Sequence, residues 1–266
     1  MIDLPADVRA RLGPTPEELV GLGPSRLLRG DGLVAKFGWE ERAAREAFIL
    51  GDASALVPVD TPTLVDAGPG WILMEVAEGD PAVSDDVRGL ERLAPMHELF
   101  VGATGIEDPR FRDVFGRERD GLLDAARAVA PALPEPLASL LADPSSLFAI
   151  VDAEPRTLVH GDCWYGNVLA HGPAQLTWLD WEDAGAGPAA LDLARWIHGS
   201  ARFPASANPE GNLAAYVASR TDAVDPRPLR VAVDAAAALA FLLLDLAEAE
   251  APLIDRRNEL ARELVG

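Results

Sequence analysis

Apolar positions follow two different patterns along the chain. In the first third they come in short segments broken by glycine: "LVGLGPSRLLRGDGLVAKFG", residues 19–38, carries the hairpin signal Gly30-Asp31-Gly32. Three short antiparallel strands are predicted here, with Lys36 on the third, after Leu33-Val34-Ala35, and a turn around Gly21 to Ser25 joining the first two. "WEERAAREAFILG", residues 39–51, is rich in helix formers and closed by Gly51, so it predicts a helix. Strands Thr63–Asp66 and Trp71–Val76 follow, joined by a plain turn over Ala67–Gly70. Beyond "EGDP", residues 78–81, the spacing changes to the helical period, predicting helices over 87–100, 114–129 and 136–141. Strands return at 156–159, 168–170 and 175–179, and helices at 189–198, 212–218, 228–248 and 255–264. There is no internal repeat, low-complexity tract or heptad seam. The pattern predicts an α+β fold: a small antiparallel β-sheet lobe over residues 1–76 and a larger, mainly helical lobe over 77–266. A crevice between two lobes is a favoured place for a ligand.

Composition narrows the function classes. The 266 residues are 49% apolar and 25% charged, the profile of an ordinary soluble protein. A formal net charge of −20 argues against holding a nucleic-acid backbone, which needs clustered cations. Such a surface attracts cationic small molecules, or serves solubility alone. The longest apolar run, Ala235 to Leu244, lies between Asp234 and Asp245 and is too short to span a bilayer. The first residues have neither a basic nor an apolar stretch, and the one cysteine, Cys163, leaves no internal disulfide or thiolate metal site. A cytoplasmic, monomeric enzyme acting on a small molecule is expected. The 23 basic residues are 22 arginines and one lysine, Lys36. A chain that uses arginine nearly everywhere has kept its compact ammonium on the third strand.

The densest polar chemistry is "HGDCWYGN", residues 160–167, between two short predicted strands. Asp162 and Asn167 stand five apart there, and "LTWLDWEDAGAGP", residues 176–188, adds Asp180 at the end of an apolar strand. A turn explains Asp, Gly and Asn in the first stretch but leaves Asp180 unexplained. The midpoint of Asn167 and Asp180 falls inside the His171–Ala174 turn, so a symmetric hairpin sets these two residues opposite each other. One amide oxygen and one carboxylate on opposed strand ends supply half a Mg²⁺ site and leave the other positions to water and phosphate. Asp162, placed beside the metal, can accept a proton from an alcohol. Cys163 has no histidine placed as a base, so it reads as packing.

Together, "HGDCWYGN", "LDWEDAGAGPAALDLA", the lone-lysine strand "LVAKFG" and the helix "REAFIL" resemble the aminoglycoside phosphotransferase and choline-kinase-like family. The resemblance covers essentially the whole chain and implies a protein-kinase-like bilobal fold. It implies that Asp162 orients the acceptor hydroxyl and takes its proton, while Asn167 and Asp180 hold Mg²⁺. Lys36 would hold the ATP α- and β-phosphates, oriented by Glu46, with Glu40 and Glu41 as alternatives. Ser25 and the loop backbone would touch phosphate, and Met74, Glu75 and Ala77 would form the adenine-binding hinge. His160 would steady its loop, and Asp192 would be a structural carboxylate. Two departures stand out: the loop "GLGPSR" carries Pro24 and little glycine, and Pro188 follows Gly187 where the family pattern has an aspartate first.

The implied activity is transfer of the ATP γ-phosphoryl group, or that of GTP, to a hydroxyl of a small molecule. A cationic, aminoglycoside-type acceptor is expected, met by Glu182, Asp183 and Asp245. Kinases for choline, homoserine, fructosamine or sugars share these motifs, and a nucleotide-binding regulatory module without turnover and a metal-dependent hydrolase are the rival classes.

Overall fold

The Gly30-Asp31-Gly32 signal forms a two-residue hairpin: Gly30 pairs with Leu33, and Asp31 and Gly32 have φ of 46° and 77°. Both central residues need positive φ in the turn that matches strand twist, which is why Asp-Gly stands there. A computed structural model describes residues 4–19, 25–83, 87–102, 124, 127–128, 130–172 and 175–265. The prediction over residues 114–129 lies almost wholly outside them, as does that for the turn over residues 21–24.

The chain divides into two compact units, residues 1–82 with 166–184, and residues 83–165 with 185–266. In the first, β1 (Glu17–Leu19), β2 (Arg26–Gly30), β3 (Leu33–Phe37), β4 (Leu64–Gly68) and β5 (Trp71–Glu75) form one antiparallel sheet in the order β1-β2-β3-β5-β4. Side chains alternate across the sheet. Leu28, Ala35, Phe37, Trp71 and Leu73 pack with Val8 of the short helix α1 (Ala6–Arg11) and with Leu4 and Leu12 at its two ends. Lys36, one position out of step with Ala35 and Phe37, is therefore turned to the other face. There it meets α2 (Glu40–Leu50), close to the predicted helix.

This unit also takes in the hairpin of β8 (Val168–His171) and β9 (Gln175–Trp178), which the 1–76 division had assigned to the helical lobe. The physical tie is backbone pairing: Asp80 and Pro81, as β6, pair with Ala170 and Leu169, and the Trp178 amide donates to the Asp60 carbonyl at 2.8 Å.

In the second unit, β7 (Arg156–Val159) pairs antiparallel with β10 (Gly185–Pro188). Helices Val87–Leu99, Leu137–Ala142, Ser145–Asp152, Ala190–His198, Pro209–Ala218, Pro226–Ala240 and Ala251–Val265 surround a core that includes Trp196, Tyr216 and Phe241. A Cβ on Gly89 would strike the Trp196 ring, so close helix packing requires glycine there. Among the described residues no helix is long and apolar enough to cross a membrane. The strand Gly185–Pro188 and the helix Ser145–Asp152 have no counterpart in the predictions from the sequence.

Candidate functional site

In the first unit a buried charge cluster surrounds the single lysine. Lys36 Nζ donates to Glu46 Oε2 at 2.8 Å and to Asp180 Oδ1, and lies 2.8 Å from Glu182 Oε2. Lys36, Glu46 and Glu182 are each under a tenth exposed, whereas the Asp180 side chain is 38% exposed. The expected partnership of Lys36 with Glu46 is present, and Glu40 and Glu41 lie exposed at the start of the helix. Burial alone would lower the lysine's pKa, but Glu46, Asp180 and Glu182 together raise it well above the ordinary value, so it stays an ammonium. Burial pushes Glu46 up to about 7, against the pull of Lys36. Glu182 goes the other way: burial would raise it, but Lys36, Arg42 and Ser25 hold its carboxyl below the usual range.

Helix α2 grips the segment after β9 with one face. Arg42, Arg45 and Glu46 stand at i, i+3 and i+4 and so share a side of the helix. Arg42 Nη1 donates to Glu182 Oε1, Arg45 Nη1 to the Ala184 carbonyl at 3.1 Å, and Glu46 Oε1 accepts from the Trp181 amide at 3.2 Å. Ser25 Oγ donates to Glu182 Oε2 at 3.0 Å, tying the start of β2 to the same carboxylate. Arg42 is buried, and its carboxylate partner Glu182 lies 140 positions away.

The expected face-to-face pairing of Asn167 and Asp180 is not what the hairpin shows. Val168 pairs with Trp178 and His171 with Gln175, so three residues separate the last pair and the register is odd. Asn167 then stands across from Leu179, whose amide donates to the Asn167 carbonyl at 2.8 Å. Asp180 is one step beyond, with φ 63° and ψ 60°. That left-handed turn, which aspartate tolerates better than most residues, takes Asp180 out of the ladder and delivers it to Lys36. Asn167 is buried at the end of the short turn Tyr165–Asn167.

The donor set here is all oxygen, the kind a hard divalent cation takes. Among the described residues, Glu46, Asp180 and Glu182 each bring one carboxylate oxygen within 4.8 Å of the others. In ligand type the cluster suits Mg²⁺, but Lys36 Nζ already meets all three carboxylates; Asp180 is the most accessible of them.

The second unit holds the loop that carries Asp162. Asp192 is fully buried and accepts from the amides of His160, at 2.7 Å, and Gly161, at 2.9 Å. Gly161 has φ 86°, a conformation that favours glycine and turns both amides to one carboxylate. His97 Nε2 lies 3.2 Å from the same carboxylate, and its Nδ1 lies 2.9 Å from the Tyr216 hydroxyl. The Asp162 amide donates to His160 Nδ1 at 3.3 Å. His160 and Asp192 thus have the steadying and structural placements expected of them. Arg195 Nη2 donates to Asp162 Oδ1 at 2.5 Å, a partnership the sequence reading did not include. Cys163 is buried, and burial raises its thiol well above the ordinary value, which leaves it without nucleophilic character.

Three acidic residues had been assigned to the acceptor. Glu182 is instead enclosed by Lys36, Arg42 and Ser25. Asp245 is also buried, and its carboxylate accepts from the Ala201 amide at 3.1 Å. Asp183 is half-buried at the end of the turn Trp181–Asp183. In the segment expected to form the hinge, Met74 is buried and Glu75 exposed, and the amides of Glu75 and Val76 donate to Thr63 and Gly32 carbonyls at 3.0 and 2.9 Å.

Residues 34–230 match the model of a family described as "Phosphotransferase enzyme family". No curated protein matches the sequence closely enough to count as a relative. Among solved structures, the chain resembles a choline/ethanolamine kinase family protein from Mesorhizobium loti, with TM-score 0.65 and 19% identity over 97% of this chain and 94% of that one. It also resembles ADP-bound aminoglycoside phosphotransferase APH(2'')-Ib, with TM-score 0.60 and 12% identity over 97% of both chains. A third is macrolide 2'-phosphotransferase MphH from Brachybacterium faecium, with TM-score 0.58 and 22% identity over 96% and 95%. At these identities the likeness establishes the fold, the expected mixed architecture of a β-sheet region followed by a helical one.

Proposed function

Because the chain belongs to the phosphotransferase enzyme family, we propose that it transfers the γ-phosphoryl group of ATP to a hydroxyl of a small molecule. The observation that carries this reading is the buried Lys36–Glu46 pair with Asp180 against it. A lysine held this way keeps its charge and its direction, both of which are needed to grip a polyphosphate.

In this reading Lys36 binds the α- and β-phosphates, and Ser25 and the neighbouring backbone touch phosphate. The hinge Met74–Ala77 receives adenine through the backbone of Glu75 and Ala77. Asn167 and Asp180 would hold Mg²⁺, which when bound neutralises charge on the phosphates. Asp162 accepts the hydroxyl proton as the acceptor oxygen bonds to the γ-phosphorus. The bond from that phosphorus to the β,γ-bridging oxygen breaks, and ADP leaves with the electron pair. The chain's own contribution is positioning and charge placement.

The acceptor favoured is cationic and of aminoglycoside type, on the strength of the −20 net charge. With Glu182 and Asp245 buried, choline, homoserine, fructosamine, macrolide and sugar alcohols belong in the same test. Purified protein is incubated with Mg²⁺, ATP labelled at its γ-phosphate and each candidate acceptor. Label in one acceptor supports the reading; ATP binding with no transfer to any supports a regulatory module, and hydrolysis retained in Lys36→Ala supports a hydrolase.

A further inference from the structure

We infer that Arg195 is a positioning residue for the reaction, acting through Asp162, and that a stacked aromatic column fixes Arg195 in turn. This rests on the reading of Asp162 as the proton acceptor.

Four observations within the second unit converge. The Arg195 guanidinium meets Asp162 Oδ1 at 2.5 Å, with the two side chains 15% and 26% exposed. Its carbon lies 5.1 Å from the centre of the Phe203 ring. Phe203 stacks on Trp164 at 4.5 Å between centroids, with the ring planes 16° apart. Tyr165 meets both rings edge-on, at 5.4 Å to Trp164 and 6.2 Å to Phe203. Guanidinium, phenyl and indole are thus linked by one cation–π and one π–π contact beside the carboxylate. Trp164 and Tyr165 follow Asp162 by two and three positions in its own loop. The loop is therefore fastened twice, through its backbone to Asp192 and through its side chains to Arg195 and Phe203.

The chemistry of such a contact is specific. A carboxylate on a single bond rotates freely about χ2, and a proton acceptor must present one oxygen in a fixed plane to the incoming hydroxyl. A planar guanidinium set over a ring and bonded to Oδ1 restrains that rotation. A lysine would place a point charge there without the plane, and a neutral residue would take this restraint off the carboxylate. Arg195 comes three positions after Asp192. One helix thus supplies both the residue that holds the loop backbone and the residue that orients its carboxylate.

The test compares Arg195→Ala, Arg195→Lys and Phe203→Leu with the wild type. The assay uses labelled ATP with kanamycin, erythromycin and choline as probes, together with thermal melts in wild-type and Asp162→Asn backgrounds. Arg195→Ala is expected to lower kcat about 100-fold, the scale of a small misplacement of a reacting group, with KM for ATP nearly unchanged. Arg195→Lys and added guanidinium ion restore part of kcat, and Phe203→Leu loses less. Arg195→Ala lowers Tm in the wild-type background by more than in Asp162→Asn, because the two side chains are coupled. Wild-type kcat in Arg195→Ala overturns the inference, as does an equal Tm drop in both backgrounds. If the wild type labels none of the probes, the functional reading fails on its own, and the melts still decide whether Arg195 holds Asp162.

Discussion

Lys36 on β3 and Glu46 on α2 meet at 2.8 Å with both side chains buried, and the second oxygen of Glu46 receives the Trp181 amide beside Asp180. One glutamate therefore sets the position of the proposed phosphate-binding cation and of the chain that carries the proposed metal-binding carboxylate. Replacing Lys36 by alanine leaves Glu46 without its cation and Glu182 with Arg42 alone, and breaking a buried pair in this way costs ~3–5 kcal/mol. Burial already pushes Glu46 up to about 7 against the pull of Lys36, so without the lysine it takes a proton more readily and softens that cost. Lys36→Ala is expected to fall at the lower end in a denaturant melt and to lose transfer by ~10²–10³-fold.

Glu182 joins three elements: Ser25 at the head of β2, Lys36 on β3 and Arg42 on α2. Glu182→Ala leaves Arg42 buried without its carboxylate. A loss of ~3–5 kcal/mol is expected by the same argument, together with a raised KM for ATP as Ser25 and Lys36 lose a shared anchor. Glu182→Gln, which keeps shape and hydrogen bonding, is expected to lose less on both counts. Chemical denaturation and ATP titration check the pair.

Asp192 satisfies two backbone amides of the loop that carries Asp162. Asp192→Ala orphans buried donors, each costing ~1–3 kcal/mol, and lets the loop move. A fall in both Tm and kcat is expected, with Asp192→Asn intermediate because an amide oxygen can still accept. Unchanged kcat in a folded Asp192→Ala would detach this contact from catalysis.

Asp245 carries a pH signature. Burial raises its carboxyl above the ordinary range, and Oδ2 is buried without a hydrogen-bond partner. A raised folded pKa means that the folded chain holds the proton more tightly. The stability gained from that proton is complete below the unfolded value of about 3.8 and is lost as pH rises through the folded one. At neutral pH the ionised, buried carboxylate is a cost. Asp245→Asn should therefore melt above the wild type at neutral pH, and the gap should close as pH falls towards about 4. A variant less stable than the wild type at neutral pH contradicts this account.

Local chemistry made part of this legible in advance. Asp31-Gly32 fixed a hairpin, the hairpin put Lys36 on β3, and the helix that follows offered Glu46 ten residues after the lysine. Those links are short in sequence and follow from turn and period alone. The offset of Asn167 from Asp180 depended on whether the loop at Gly172 held an odd or even number of residues, and composition does not settle that parity. The strand Gly185–Pro188 was hidden because glycine and proline read as a turn, although β7 pairs with it along its whole length. Arg42 with Glu182 and Arg195 with Asp162 join residues 140 and 33 positions apart. In a chain with 22 arginines, no spacing marks which guanidinium meets which carboxylate. One clue was present: Arg42, Arg45 and Glu46 share a helix face, and a charged face on a helix next to the lysine strand is a candidate clasp.

The central claim is that Asp162 receives the acceptor's proton in a phosphoryl transfer that Lys36 and Asp180 support. The most direct measurement follows label from the γ-phosphate of ATP into a hydroxyl acceptor, comparing the wild type with Asp162→Asn while ATP affinity is measured in parallel. The account predicts label in at least one acceptor with the wild type, a fall of ~10²–10⁴-fold in Asp162→Asn, and nearly equal ATP affinity. Transfer at the wild-type rate in Asp162→Asn would contradict it.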